Sequence, residues 1–251
     1  MKDRKLRSLI LAAGKGTRMK SDLAKVLHPL LGRPLISYVV GAARAVGSEK
    51  LIVIVGHQAD AVCEAVAGDD LMYVDQKDLL GTGHAVLQAA GAFDGFAGTV
   101  LILCGDVPLL SEMTIQALLQ RHRESLAEVT VMTIVLDDPG SYGRVIKDEN
   151  GDVIKIVEAR DATPEEKKVC EINTGIYCVE SPYLFAAVAQ IGNQNAQKEY
   201  YLTDIIDISR RGGRKVASFV ASDPIEVMGI NTPEELTRAA RYLENRQEKQ
   251  V

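Results

Sequence analysis

Four apolar runs set the rhythm of this chain: Leu9–Ala13, Leu51–Val55, Thr99–Cys104 and Val129–Val135. None shows the polar alternation of a half-exposed strand, so each predicts a strand covered on both faces, as in a parallel sheet. Helical patterns stand between them. Ile36, Val39, Val40 and Ala43 fall at i, i+3, i+4 and i+7, with Pro34 in the first turn and Gly47 at the end, which predicts an amphipathic helix. Strands alternating with such helices imply one open α/β sheet with right-handed crossovers.

The pattern changes between about 137 and 200. "DDPGSYGRVIKDENGDVIKIVEARDA" is polar, holds turn pairs at Pro139-Gly140 and Asn150-Gly151, and offers only short strands. It predicts a small β-rich lid beside the main sheet. From about 201 the chain returns to that sheet and closes with a helix. "GINTPEEL" is a capping box, with Thr232 as N-cap and Glu235 three residues on. Leu236, Ala239, Ala240 and Leu243 give the helix an apolar face, and a charged tail follows. No internal repeat occurs, nor the hexapeptide pattern of a left-handed β-helix.

Length and charge narrow the possibilities. A chain of 251 residues fits one large α/β domain. Its net charge of −5 argues against a surface that tracks nucleic acid, so a bound anion needs a local positive cluster. Cys63, Cys104, Cys170 and Cys178 include no CxxC pair and lie in or beside apolar runs; they read as free core thiols of a reducing cytosol, not zinc ligands. The apolar run before Gly14 is too short for a signal peptide or membrane span, which gives a cytoplasmic reading.

The positive cluster is "LILAAGKGTRMKSDLAKVL", residues 9–27. Gly14-Lys15-Gly16 begins like G-x-G-x-x-G, but Met19 takes the third glycine's place, and no Walker spacing is present. The physics survives both failures. A loop after the first strand lies where open α/β sheets bind ligands. Glycines let backbone N–H groups approach phosphate oxygens, Arg18 offers a fork, and Lys25 a mobile point charge. Bringing these cations together costs repulsion unless the ligand is strongly negative, as a triphosphate is.

Further candidates follow in chain order. Asp106, at the tip of the strand in "VLILCGDVPLL", could hold Mg²⁺ with help from phosphates and water; a plain strand-end turn is the alternative. Asn231 offers an amide oxygen before the last helix, or is an ordinary turn residue. Gln76, ahead of Gly81-Thr82-Gly83, could read a nucleobase edge by donating and accepting together; a helix-starting turn is the rival. Glu158, Asn173 and Thr174, with a backbone N–H from Gly143, suit a sugar, or are solvated strand ends. His28, His57, His84 and His122 show no triad or metal spacing and receive no catalytic role.

Taken together and in order, "LAAGKGTRM", "DLAKVLHPL", "LGTGHAV", "CGDVPLL", "YGRVI", "EINTGIY" and "NAQKEYYLTDII" resemble the nucleotidyltransferase family of GT-A-like, Rossmann-like α/β fold. They resemble above all its bacterial uridyltransferase branch acting on N-acetylglucosamine-1-phosphate. The resemblance covers roughly residues 6–245. It implies a nucleotide-binding part over about 1–136, a sugar-binding lid over about 137–200, and a return with a C-terminal helix over about 201–251.

The implied activity is Mg²⁺-dependent transfer of UMP from UTP to N-acetylglucosamine-1-phosphate, giving pyrophosphate and UDP-N-acetylglucosamine for peptidoglycan precursor synthesis. The resemblance puts Leu11, Ala12, Ala13, Gly14, Gly16, Thr17 and Gly105 at the nucleotide, with Gln76, Gly81 and Thr82 on the uracil side. Arg18 and Lys25 would engage phosphates and Asp106 and Asn231 the metal, with Arg18, Lys25 and Asp106 carrying catalysis. Gly143, Glu158, Asn173 and Thr174 would face the amino sugar. Many relatives have tyrosine where Cys104 stands, and the usual protein continues into an acetyltransferase β-helix that brings chains together. Without it a monomer or weak dimer is expected. The alternatives are another sugar-1-phosphate or phospho-alcohol substrate, and a non-catalytic regulatory subunit; the intact set of Arg18, Lys25, Asp106 and Asn231 speaks against the latter.

Overall fold

The computed structural model of the chain describes residues 5–248. In chain order the elements are β1 (Leu6–Leu11), a small hairpin of β2 (Pro29–Leu30) and β3 (Arg33–Pro34), α1 (Leu35–Ala45), β4 (Lys50–Val55), α2 (Ala59–Ala65), β5 (Leu71–Asp75), α3 (Thr82–Gln88), β6 (Thr99–Cys104), α4 (Glu112–Ser125) and β7 (Val129–Val135). There follow β8 (Arg144–Lys147), β9 (Val153–Val157), β10 (Glu171–Glu180), α5 (Ser181–Val188), α6 (Asp204–Arg211), β11 (Val216–Val220), α7 (Pro224–Val227) and α8 (Pro233–Glu248).

The sheet runs β11-β7-β10-β6-β1-β4-β5, with β8 on β10 and β9 on β8. β1 lies parallel between β4 and β6, β5 is parallel to β4, and β11 to β7. β10 runs antiparallel between β6 and β7. This is the open, mostly parallel α/β architecture that the apolar runs imply.

Two cores sandwich the sheet. Leu101 and Leu103 of β6 face one core with Ile36 and Val39 of α1 and Ile115 and Leu118 of α4. Val100 and Ile102 face the other, with Val86 of α3, Leu184 of α5 and Ile205 of α6. Successive strand residues point to opposite faces, so a strand buried on both sides cannot alternate apolar with polar. A smaller cluster of Leu30, Leu35, Leu109, Ile230 and Ala239 seats α8.

The lid is narrower than the sequence pattern implies. Only β8 and β9 form a side hairpin, because β10 is a ten-residue strand of the main sheet. Its apolar pattern is broken by Asn173-Thr174-Gly175, where the pairing with β7 shifts register, and that break hides it from a periodicity reading. The charged tail differs too: α8 continues to Glu248, while positions 249–251, like the charged start at 1–4, lie outside the described residues. Cys178 is buried as expected, but Cys170 is exposed, in the segment leading into β10.

Gly175 makes the bulge possible. Its φ is +79°, and a Cβ there would lie 2.8 Å from the Cys104 sulfur. Gly151 is also left-handed, at φ +82°, with nothing near a Cβ. Gly151→Ala is therefore expected to cost about 1–2 kcal/mol. Gly175→Ala adds the clash and should cost about 2–4 kcal/mol, read from urea midpoints at unchanged slope.

Candidate active site

The carboxyl ends of β1, β4 and β6 converge on two adjoining cavities, of about 340 and 420 Å³. The first is lined by Leu11, Ala12, Ala13, Gly14, Lys25, Gln76, Gly81 and Thr82. The second is lined by Arg18, Gly143, Glu158, Asn173, Thr174 and Asn231. Cys104 and Asp106 line both. The residues expected at nucleotide and at sugar thus separate into two neighbouring chambers with one carboxylate on the shared wall.

Three expected residues line neither cavity. Gly16, at φ +69°, lies under Lys25, whose Cβ would sit 2.4 Å from a Cβ built there. Gly105 tucks beneath β1, its N–H bonded to the Leu11 carbonyl at 2.9 Å. Thr17 is exposed in a short turn after the glycines. By contrast, a Cβ at Gly14 would meet nothing within 4 Å, so there the backbone is bare toward the first cavity. The loop's two glycines answer to different demands: one to an approach from the cavity, the other to packing of the chain on itself.

At the junction segments far apart in sequence meet. The Ile230 N–H donates to the Asp106 carbonyl at 2.8 Å, which brings Asn231 alongside Asp106. Lys25 Nζ donates to an Asp106 carboxylate oxygen and, at 3.0 Å, to Asn231 Oδ1. Arg18 donates to the same Oδ1 at 2.8 Å. Asn231 Nδ2 donates to the Gly229 carbonyl at 2.9 Å, which fixes the amide with its oxygen toward the cations. The capping box completes the mounting: Glu235 Oε2 accepts from the N–H groups of Asn231 at 2.6 Å and Thr232 at 3.0 Å, and Thr232 Oγ1 accepts from the Glu235 N–H at 3.2 Å. Glu235 was legible in the sequence as a helix cap, yet it also lines the second cavity.

Asp106 and Asn231 therefore aim oxygens at one point that already suits a cation, the Lys25 ammonium. A divalent ion with two protein oxygens and further ligands from phosphate and water fits that donor set. Among the described residues no cluster of three or more His, Cys, Asp or Glu forms an alternative metal site.

Several polar groups are less free than their sequence suggested. Gln76 Nε2 already donates to the Gly81 carbonyl and toward His84. A Cβ on Gly81 or Gly83 would strike the Tyr200 backbone at 2.7 or 2.9 Å, so these glycines serve a packed segment as well as a cavity. Thr82 Oγ1 accepts from the Leu202 N–H at 3.0 Å. The Thr174 hydroxyl donates to the Met132 carbonyl at 2.8 Å. Asn173 Oδ1 accepts from the Tyr177 hydroxyl at 2.9 Å and the Gly175 N–H at 3.0 Å, which leaves its Nδ2 as the available donor.

Sequence reasoning missed two wall residues. Tyr142 lines the second cavity, its phenol pushed up to about 12 by burial and by the Glu235 and Asp106 carboxylates. Arg144 is buried, and its guanidinium donates to the Tyr142 carbonyl and, at 3.0 Å, to the Gly140 carbonyl, which holds that wall. No spacing marks either; only the folded loop brings them in. Cys104 is a neutral thiol, pushed up to about 12 by burial with Asp106 nearby. His122 is a core residue between Thr130 Oγ1 at 2.7 Å and Glu180 Oε1 at 3.0 Å.

Burial raises the Glu158 carboxyl, against the Thr203 hydroxyl that donates to it at 3.3 Å. A carboxyl raised in the folded state favours folding when protonated, and that contribution is lost as pH rises from its unfolded value through its folded one. Glu158→Gln should therefore unfold at a higher temperature than the parent near about pH 8, with the difference closing toward about pH 4, as measured by thermal melts across pH.

The MobA-like NTP transferase domain family matches residues 8–144. The bifunctional protein GlmU of Geobacter metallireducens is 50% identical over 96% of this chain and 51% of its own length. That of Pelobacter propionicus is 50% identical over 95% of the chain and 52% of its own. That of Desulfotalea psychrophila is 47% identical over 100% of the chain and 74% of its own. The chain thus spans about half the length of the first two. By fold, by the order of its site segments and by these matches, the chain belongs to the MobA-like NTP transferase family, in the company of the bifunctional GlmU proteins.

Proposed function

We propose that this chain transfers UMP from UTP to N-acetylglucosamine-1-phosphate, releasing pyrophosphate and UDP-N-acetylglucosamine. One observation carries the proposal: two cavities share Asp106 on their common wall, with Arg18, Lys25 and Asn231 gathered at the junction. Joining two phosphates requires charge neutralisation between a nucleotide chamber and a sugar chamber. Relatives named bifunctional protein GlmU and the segments "EINTGIY" and "NAQKEYYLTDII" support the amino-sugar substrate.

In the reaction a sugar-1-phosphate oxygen attacks the α-phosphorus of UTP in line. The new O–P bond forms as the bond to the β-phosphate breaks, and pyrophosphate leaves with the electron pair. A phosphate monoester, with a second pKa of about 6, is already largely ionised at neutral pH, so no general base is needed. That agrees with a site in which no histidine faces the junction. Catalysis then rests on alignment and electrostatics. Arg18 forks onto the departing phosphates. Lys25, moving from Asp106 to phosphate, offsets the charge that develops there. Gly14 offers bare backbone to the triphosphate. Asn173 Nδ2 and Glu158 hold the sugar, and Gly143 faces it.

Mg²⁺ is the metal we assign to Asp106 and Asn231; when bound it neutralises phosphate charge. The partners are these small molecules, with neither nucleic acid nor membrane among them, in keeping with a net charge of −5. No helix among the described residues is long and apolar enough to cross a membrane. We read the chain as a cytoplasmic catalytic unit, monomeric or weakly dimeric.

Asp106→Ala should fold normally and lose Mg²⁺-dependent turnover; wild-type activity would refute the metal assignment. Arg18→Ala should lower kcat by about 10²–10³, whereas a change confined to KM would make Arg18 a ground-state binder. The substrate pair is tested by pyrophosphate release with four nucleoside triphosphates against several sugar-1-phosphates. The expected maximum is UTP with N-acetylglucosamine-1-phosphate, and faster turnover of another pair would overturn the specificity while sparing the reaction class.

A further inference from the structure

Gln76 is nearly enclosed, 4% exposed, yet its amide borders the first cavity. Its Nε2 lies 3.1 Å from the Gly81 carbonyl and 3.1 Å from His84 Nδ1. A carbonyl can only accept, so the amide nitrogen, not the oxygen, must occupy this position. Both amide hydrogens are then committed, one to Gly81 and one to His84. His84 Nδ1 must accept, which puts the imidazole proton on Nε2. That nitrogen lies 3.1 Å from Gln88 Nε2; Gln88 is exposed, and a half-turn of its terminal amide presents the oxygen to the Nε2 proton.

The consequence falls on the other end of the Gln76 amide. Oε1 makes no hydrogen bond among the described residues and is not sealed in the interior. As part of a cavity-lining side chain it is an acceptor open to a ligand, and it cannot exchange places with the nitrogen without setting oxygen against the Gly81 carbonyl. An acceptor held in one orientation selects a ring whose facing edge atom donates. The N3–H of uracil does so; N3 of cytosine is itself an acceptor.

We propose that His84 is a positioning residue for base selection: its unprotonated Nδ1 locks the Gln76 amide with oxygen toward the pocket, and so makes the pocket choose a uracil-type edge over a cytosine-type one. This rests on the uridylyl reading of the pocket and adds the device that enforces it. Without the His84 acceptor only the Gly81 carbonyl opposes rotation of the amide, and the preference for one base weakens. His84 sits on α3 between the cavity-lining residues Thr82 and Ala85, and its ring lies 6.3 Å from that of Tyr200, tilted by 36°. A phenyl ring therefore keeps the packing while removing the acceptor.

The test compares UTP with CTP in the full chain, by calorimetric binding and by pyrophosphate release with N-acetylglucosamine-1-phosphate. His84→Phe should lower the UTP-over-CTP ratio of kcat/KM by about 10- to 100-fold, the effect of one buried polar partner set free. The KM for UTP should rise while kcat stays within about threefold. His84→Asn, whose amide oxygen can replace Nδ1 as acceptor, should restore most of the ratio. If the phenyl variant does not fold, His84→Ala gives the same readout. A variant that loses the acceptor yet keeps the parent's ratio within about twofold overturns the role of His84 and leaves the uridylyl reading standing. A parent that binds CTP as well as UTP overturns the uridylyl reading and this inference with it.

Discussion

Asp106 stands just beyond β6 and Asn231 just ahead of α8, yet the Ile230 N–H reaches the Asp106 carbonyl at 2.8 Å and their side-chain oxygens meet the same Lys25 ammonium. Arg18 adds a second cation to that amide oxygen at 2.8 Å. Two positive charges thus converge on one negative charge and a dipole. Unit charges 4 Å apart interact by about 4 kcal/mol at an effective dielectric of 20, so holding Arg18 and Lys25 against one amide oxygen carries a repulsion that phosphate would relieve. The rest of the molecule is arranged to make this meeting possible.

The sheet supplies its rigid floor. β1, β4 and β6 are apolar on both faces and end side by side, so the segments that leave them start from fixed positions. A bulge at Asn173–Gly175 sets the polar part of β10 in the wall of the second cavity without breaking the strand's place between β6 and β7. At the first cavity the 199–202 segment is stitched to the Gly81 loop through the Gly83–Tyr200 bond at 2.7 Å and the Tyr200–Leu80 bond at 2.8 Å. Both cavities are therefore walled by segments distant in sequence, held by backbone hydrogen bonds rather than by surface ion pairs, which contribute little.

Much of this could be read from local pattern, because local pattern is what two-sided burial and helix capping leave behind. The apolar runs marked β4, β6 and β7 closely and β1 within a few residues. The i, i+3, i+4, i+7 spacing marked α1, and Thr232 with Glu235 formed the reciprocal cap they implied. What failed did so for physical reasons. β10 was hidden because a bulge interrupts its alternation. The charged end of α8 was read as a tail because exposed helical turns need no apolar stripe. Cys170 was assigned to a core it does not enter.

At the site the division is sharper. The sequence by itself determined which chemical groups are available: two cations, one carboxylate, one amide near the chain's end, and glycines that free the backbone. Only the tertiary structure decided which of their atoms are free to act. Gln76 could donate or accept until the Gly81 carbonyl claimed one of its hydrogens and His84 drew up beside the same nitrogen. Thr174 offered a hydroxyl until the Met132 carbonyl took it. Gly16 and Gly105 were expected at the nucleotide, and the fold adds a second demand on each: Lys25 packs on the first, and the N–H of the second is bonded to the Leu11 carbonyl. A side chain's type is written in its letter, but its unspent hydrogen-bonding capacity is what remains after its neighbours are satisfied, and those neighbours come from distant parts of the chain.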